Sequence, residues 1–513
     1  MPIFKITYLP PLLIYASAGV SGLTSIVGIF FIKDFLSLSA AFIASIGFWA
    51  GIPWALKMPI GFLIDKYWNL KQYFIYFGAF LVSISLIIMY GILAHKNFML
   101  EYLEIKVWFI VSSIIMPIGY VLQDVVADAM TVEAVEPDFK NKHKKINKKA
   151  TKKEHTIVQL YGRFAIILGS LIVGLVNFFI FRGVNANYPN INVLYGKIYL
   201  YALIIPFISV SGIVLFNILN KNKNKALKFN TTTLDYQIFL GSCAFVIFTI
   251  LLGTFDILFS REVILLSSLI LISILMRLLI KDLKKEDQHT IVGTAIIIFV
   301  FRAMPSPGAG LNWFEIDILG FNQSFFSILS ITSALITLIG MIVLRNLMLK
   351  APLANLFVVL SIFSAVLYTP SLCMYYDLHK YTSLITNGLI DARFIAILNT
   401  AVESPLAQVA MIPMLAWIAK NAPSKYKATF FAVFASFTNV ALSARELFTS
   451  YLNKIFVIKR EVIDQQSNEI LVKANYDDLD NLLISLIFIT LVVPLITIYL
   501  IQKTKFLLLA GRL

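Results

Sequence analysis

The sequence predicts an all-α polytopic membrane protein with about fourteen transmembrane helices and both termini in the cytoplasm. Three observations carry that expectation. Of the 513 residues, 59% are hydrophobic and only 14% are charged, whereas soluble domains carry about a quarter charged residues. Apolar runs recur along the whole chain at lengths near the roughly 20 residues a helix needs to cross a bilayer. The polar stretches between them, longest at 132–156 and 453–480, are too short to fold around a core of their own. Together these exclude a soluble enzyme. They also exclude a disulfide scaffold, because the two cysteines, Cys243 and Cys373, both lie in apolar runs. The net charge of +15 would suit nucleic acid only if the lysines formed a binding surface, and they lie mostly in the loops between runs.

The runs fall at 10–32, 40–64, 73–94, 106–131, 157–181, 198–219, 236–258, 262–280, 290–304, 323–344, 352–375, 394–419, 428–452 and 481–502. The first follows Lys5 and contains Ala16-Ser17-Ala18, a loose likeness to a signal-peptide cleavage site. Its apolar character continues unbroken to Ile32, so it is expected to be an uncleaved span. The runs at 262–280 and 290–304 are short. The latter ends in Phe301-Arg302-Ala303-Met304-Pro305-Ser306-Pro307-Gly308-Ala309-Gly310, whose prolines and glycines stop a helix. Trp313, Glu315 and Asp317 follow in an external loop without Lys or Arg. That segment reads as an interfacial helix end with an aromatic anchor, or alternatively as an outer gate. With the N-terminus inside, Lys and Arg concentrate in the cytoplasmic segments, above all between Lys140 and Lys153, which supports even parity. Parity alone does not separate fourteen spans from twelve. The lysine run itself reads as a topology-fixing loop, with an anionic-lipid contact as the sharper alternative.

Charged side chains within spans are costly, so each marks a candidate functional position. The second span carries Lys57 two turns from Asp65, roughly 12 Å along a helix. The fourth carries Asp124 and Asp128, which share one helix face at a spacing of four, followed by Glu133. The fifth carries Arg163, followed by Gly169 and Gly174, which allow close helix packing. Helix direction places Lys57, Asp124 and Arg163 at one depth, roughly 10–15 Å from the cytoplasmic edge. A sparser echo, Glu403 and Arg445, sits on two adjacent spans of the second half. The bland alternative is a buried ion-pair network that only holds helices together.

With these residues in view, the chain resembles the folate–biopterin transporter family, a branch of the major facilitator superfamily. The resemblance rests on Pro53, Trp54, Lys57, Gly61 and Asp65, and on Asp124, Asp128, Ala129 and Glu133 followed by Arg163. The turn at Arg302-Ala303-Met304-Pro305 and Leu319-Gly320-Phe321 add to it. The chain departs from the family in having Val135 and Glu136 where a basic residue tends to follow the fourth-span glutamate, which loosens the substrate assignment. The resemblance implies a major-facilitator-like fold of two six-helix bundles, 1–219 and 290–513, with twelve core helices. Between them, 220–289 would be a cytoplasmic linker with an inserted helix pair. It further implies import of folates, pterins or a related anionic metabolite together with protons, by alternating access.

On that reading Lys57, Arg163, Arg302, Glu403 and Arg445 bind substrate, and Arg163 holds a substrate carboxylate. Asp124 or Asp128 takes the coupling proton, and Gly61, Asp65 and Glu133 serve gating. The expected protein is a monomeric symporter in the cell membrane, the inner membrane in a bacterium. Its partners are the small-molecule substrate, protons and the lipid bilayer, with no nucleic acid, cofactor or metal. Within transport, the alternative is another anionic metabolite, a nucleotide or a cofactor such as S-adenosylmethionine. A membrane-embedded enzyme is the reading from a different class, but no nucleophile motif or histidine-based metal site accompanies the carboxylates.

Overall fold

The computed structural model describes residues 5–503 except 37, 56, 68–69, 136–147, 185–190, 221–239, 242, 245–246, 250, 253–258, 282, 345–352, 422–426 and 464–469. The expected run at 236–258 falls largely outside the described residues, as does most of the lysine run. Elsewhere a helix occupies each expected span, and ten are long and apolar enough to cross a membrane. The all-α, polytopic expectation holds. Strand is confined, among the described residues, to one short antiparallel hairpin outside the spans.

By contact the chain forms two compact units, residues 1–27 with 59–239, and residues 28–58 with 240–513. The first unit contains α1 (Leu9–Val20), α4 (Lys57–Lys66, from Pro59 onward), α5 (Lys71–Ala94), α6 (Lys96–Leu100), α7 (Ile105–Val135), α8 (Lys148–Phe181), α9 (Ile191–Tyr201) and α10 (Ile204–Asn220). Its core gathers Leu12, Ile14, Tyr15, Ile64, Ile75, Val126, Met130, Val158 and Ile213 from helices far apart in sequence. Close approach is set by glycine. A Cβ at Gly19 on α1 would lie 2.0 Å from the Ile166 carbonyl oxygen, and one at Gly169 on α8 would lie 2.8 Å from that of Ala16. The α5–α7 pair repeats the device, since a Cβ at Gly78 would meet the Gly119 oxygen at 2.6 Å. Small residues let backbones touch where lipid gives no hydrophobic drive to association.

The second unit begins with α2 (Ser25–Phe35, from Gly28 onward) and α3 (Ala40–Ala55). It continues with α11 (Ser260–Ile280), α12 (Lys285–Arg302), α13 (Ala309–Asp317), α14 (Gln323–Val343), α15 (Leu353–Val366), α16 (Thr369–Tyr375), α17 (Leu378–Ile385), α18 (Ala392–Asn421) and α19 (Lys427–Ile455). After the hairpin strands β1 (Val462–Ile463) and β2 (Ile470–Val472) the final helix, α20 (Leu479–Lys503), closes the unit. Pro53 lies inside α3 and Pro59 in the first turn of α4. The run expected at 290–304 is the apolar end of α12. It stops at the predicted prolines, and Gly308, at φ +72°, restarts the chain as the short α13. Helix α19 carries the polar residues Ser436, Thr438, Ser443, Thr449, Ser450 and Asn453, all buried inside protein.

Helix α11 lies along α19. Its first turn is polar: Arg261 Nη1 donates to Ser45 Oγ at 2.5 Å and to Ser450 Oγ at 3.4 Å, and Glu262 accepts from the Tyr451 hydroxyl. A second polar group pins the external end of this unit. Lys33 Nζ lies 2.6 Å from Asp317 Oδ1, and the Tyr476 hydroxyl donates to Asp317 Oδ2 at 2.5 Å. Beside it the buried Arg460 donates to the carbonyls of Ile32, at 2.6 Å, and Leu36, and its guanidinium lies 5.5 Å from the centre of the Trp313 ring.

Candidate functional site

In the first unit the chemistry gathers around Tyr15. This residue is buried on α1, and its hydroxyl donates a short hydrogen bond to Asp128 Oδ1 on α7. The charges of Asp124, one turn earlier on α7, and Arg163, on α8, also act on that hydroxyl. The i, i+4 spacing of the two aspartates puts both on the face turned to α1. Glycine brings α8 close enough, for a Cβ at Gly162 would lie 2.9 Å from the Tyr15 ring. The structure therefore brings three of the sequence-derived residues, Asp124, Asp128 and Arg163, into one polar cluster. Tyr15 joins them unannounced by any sequence signal, being an aromatic residue in an apolar run.

Lys57 is grouped with the second unit, where its ammonium stands 4.9 Å from the Trp54 ring centre. Gly61 lies on α4, and a Cβ there would make ordinary contact with Val125 on α7 at 3.9 Å. The backbones of Asp65 and Glu133 are helical, and their side chains lie outside the described residues.

The second unit holds a matching cluster. The charge of Arg445, on α19, acts on Glu403 of α18, on Tyr368 between α15 and α16, and on its own neighbour Glu446. Glu403 in turn acts on Tyr368 and on Glu315 of α13. Two buried polar atoms beside these groups, Arg445 Nε and Asn399 Oδ1, have no hydrogen-bond partner among the described residues. Asn399 precedes Glu403 by four residues and so shares its helix face. Buried polar atoms are ordinarily satisfied, so this group has spare capacity for a polar ligand or water. Glu315 lies on α13, too short a helix to span a bilayer. Burial, with the Glu403 charge adding to it, pushes its carboxyl up to about 7. Arg302 ends α12, half-buried. The sequence reading picked out Glu403 and Arg445 but gave no role to Glu315, Tyr368 or Glu446.

The arrangement is therefore two separate groups in which one arginine faces several carboxylates and a tyrosine hydroxyl. Each group can bind a charged solute or pass a proton, and neither contains a nucleophile paired with a base.

Comparison with known proteins bears on both fold and family. The model of the BT1 family matches residues 18–507. No curated protein sequence matches the chain. Among solved structures, the chain is similar to a POT family transporter crystallised with a thioalcohol-conjugated peptide. That match has a TM-score of 0.64 at 15% identity over 98% of this chain and 96% of the other. It is also similar to the nucleoside transporter NupG (0.58, 12%, covering 97% and 100%). A third match is the xylose transporter XylE from E. coli in an inward-open conformation (0.51, 15%, covering 96% and 93%). At these identities the likeness shows the fold, which is major-facilitator-like as expected.

The assignment to the folate–biopterin transporters is corrected by these comparisons. The model that spans the chain is that of the BT1 family, and the solved structures of similar fold include carriers of peptide. The residues that suggested folate, Lys57 to Asp65 and Asp124 to Arg163, are charges and glycines within spans. Such residues report how helices pack and where polar groups are tolerated, and they do not by themselves read out a cargo.

Proposed function

The chain belongs to the BT1 family, and we propose that it is a secondary active transporter that moves a small zwitterionic or carboxylate-bearing solute, such as a short peptide, together with protons. The observation that carries this is the pair of arginine–carboxylate clusters inside the spans, Arg163 with Asp124 and Asp128, and Arg445 with Glu403. An arginine suits a carboxylate, and the neighbouring acids suit an ammonium group, so each cluster by itself suits a solute bearing either group. Solved structures of similar fold include proton-dependent oligopeptide transporters, which supports the choice of cargo and of coupling ion. Arg163 and Arg445 bind the solute, with Lys57 and Arg302 as further contacts. Asp124 or Asp128 takes the coupling proton, because Tyr15 holds Asp128 by a hydrogen bond that either protonation state can keep. Gly61, Asp65 and Glu133 serve the cytoplasmic gate. The protein works in the cell membrane by alternating access between its two six-helix halves.

The test is uptake of a labelled dipeptide, a nucleoside and S-adenosylmethionine into proteoliposomes with and without an inward proton gradient. Gradient-driven accumulation of the dipeptide is expected. Arg163→Ala with Asp124→Ala removes one charge of each sign and leaves Asp128 held by the Tyr15 hydroxyl, so that variant should fold yet fail to accumulate it. Accumulation at the wild-type level in that double variant would reduce the first cluster to a structural network. Accumulation of the nucleoside or of S-adenosylmethionine alone would overturn the peptide reading.

A further inference from the structure

Helix α17 is built inside out. At 3.6 residues per turn, Leu378, Tyr381, Leu384 and Ile385 share one face about 120° wide, and His379, Thr382 and Ser383 share the other. The apolar face is the exposed one. Tyr381, Leu384 and Ile385 are 64%, 77% and 83% exposed, whereas His379, Thr382 and Ser383 are half-buried. The turn that follows keeps the pattern, with Leu389 76% exposed.

Polar groups hold the segment in this shape. Thr382 Oγ1 donates to the carbonyls of His379 at 3.0 Å and Ile390 at 2.8 Å, and the Ile390 amide donates to Thr386 Oγ1 at 2.9 Å. Asn387 and Gly388, at φ +51° and +86°, form the left-handed turn that ends the helix, and the Gly388 amide donates to the Ser383 carbonyl at 2.7 Å. The threonine hydroxyls thus tie the segment to itself, and the large apolar side chains are left outside. The exposed ammonium of Lys380 is matched by Asp377 Oδ2 at 2.8 Å.

The flanking helices say what covers that face. The chain enters from the candidate span Leu353–Tyr375 and leaves into the candidate span Ala392–Met411, so residues 376–391 are confined to the level of the span ends. Tyr375 and Tyr376 bond there to Asp477 and Asp480, just beyond the hairpin. Both flanking helices carry exposed apolar stripes at helical spacing: Val359, Ile362, Phe363 and Val366 on α15, and Phe394, Leu398 and Val402 on α18. Stripes of that kind on a spanning helix face lipid. The apolar face of α17, which touches α16 and α18, continues them past the end of the span. Tyr376 and Tyr381 add the amphipathic rings that favour the boundary between lipid and water.

We propose that residues 376–391 form a foot on the membrane. Helix α17 lies along the bilayer surface on the side that carries the hairpin, with Leu378, Tyr381, Leu384, Ile385 and Leu389 sunk among lipids at the boundary of headgroups and acyl chains. The partner is a lipid surface, and a zwitterionic bilayer suffices because Asp377 matches Lys380. The foot sets the depth at which α18, the helix of Glu403, enters the bilayer. The inference needs only that the chain spans a membrane and is independent of its cargo.

The experiment reads the depth of single positions. In the full chain, with Cys243 and Cys373 replaced by serine, single cysteines carry spin labels in phosphatidylcholine proteoliposomes. Relaxation by oxygen is then compared with relaxation by a water-soluble nickel chelate. Labels at Tyr381→Cys, Leu384→Cys, Ile385→Cys and Leu389→Cys should give an oxygen-to-nickel ratio about threefold or more above those at the exposed Lys380→Cys and Asn387→Cys, because oxygen enters lipid and the chelate does not. High salt should leave the ratio unchanged. Adding Leu384→Glu with Ile385→Glu should lower the ratio at Leu389→Cys to that of the polar positions. Should labelled protein fold poorly, unlabelled Leu384→Cys and Asn387→Cys supply the test, since a charged maleimide should modify the second much faster than the first. Labels at 384 and 385 that respond to nickel as strongly as one at 387 overturn the proposal. So do labels there shielded from both reagents, as under a second copy of the chain, a ratio that falls with salt, or equal maleimide rates.

Discussion

Removing the ammonium at Lys33 while keeping its apolar stem, as in Lys33→Met, isolates the ion pair that pins the external end of the second unit. Lys33 and Asp317 side chains are only 9% and 16% exposed at a separation of 2.6 Å. Breaking such a buried pair from one side costs about 3–5 kcal/mol, because the other charge is left without its partner. Asp317 is not wholly orphaned, since the Tyr476 hydroxyl still donates to its second oxygen, so the loss should fall at the lower end, about 3 kcal/mol. Replacing both residues, Lys33→Met with Asp317→Leu, removes the buried charge and leaves only the tyrosine hydroxyl wanting an acceptor, at a cost of about 1–2 kcal/mol. The double change should therefore be less damaging than Lys33→Met alone. Reversible unfolding of the purified protein in mixed micelles, run as a double-mutant cycle, reads these differences. Additivity of the two single changes within about 0.5 kcal/mol would refute the reasoning and leave the contact as a solvated surface pair.

Two further expectations concern stability. Glu315, whose carboxyl is pushed up to about 7 by burial, holds a proton in the folded state that the unfolded chain has already released. Stability should therefore fall as pH rises from about 4.5 through 7, by about 2–3 kcal/mol at most, and Glu315→Gln should flatten that slope in unfolding measured from pH 5 to 8. Gly19→Ala would place a methyl group 2.0 Å from the Ile166 carbonyl oxygen. A backbone atom cannot swing aside, so the cost should exceed the usual overpacking range of about 1–3 kcal/mol, seen as loss of monodisperse protein on size-exclusion chromatography. Recovery of wild-type yield in that variant would mean that α1 and α8 are less closely packed.

Hydropathy and loop charge were enough to read the fold, because a bilayer allows helices little alternative. The described parts of the expected spans are mostly helical, and the Pro305–Gly310 stop is where it was expected. The candidate site was legible only in part. Asp124, Asp128 and Arg163 stood out because charge in an apolar run is rare. Tyr15 did not, because a tyrosine in such a run looks like any other aromatic until its hydroxyl is seen against Asp128. Glu446 escaped notice beside Arg445, for adjacent residues look like a local pair in sequence although they leave a helix about 100° apart. Glu315 was read as a loop residue, since its burial depends on contacts made only in the folded unit, such as that of α13 with α3. The cargo was the least legible feature, because recognition is decided by which side chains converge and not by the spacing of charges along one helix.

The helix α11 bears on how this protein could be recombined with others. A segment added between two halves would ordinarily be exchangeable, like a loop. Here Arg261 is bound to Ser45 and Ser450, and Glu262 to Tyr451, so the segment is keyed to residues that lie more than two hundred positions before it and nearly as many after it. A chimera that donates α11 to a relative, or removes it from this one, would have to exchange positions 45, 450 and 451 along with it. These three stretches of the gene are thereby obliged to travel as a set.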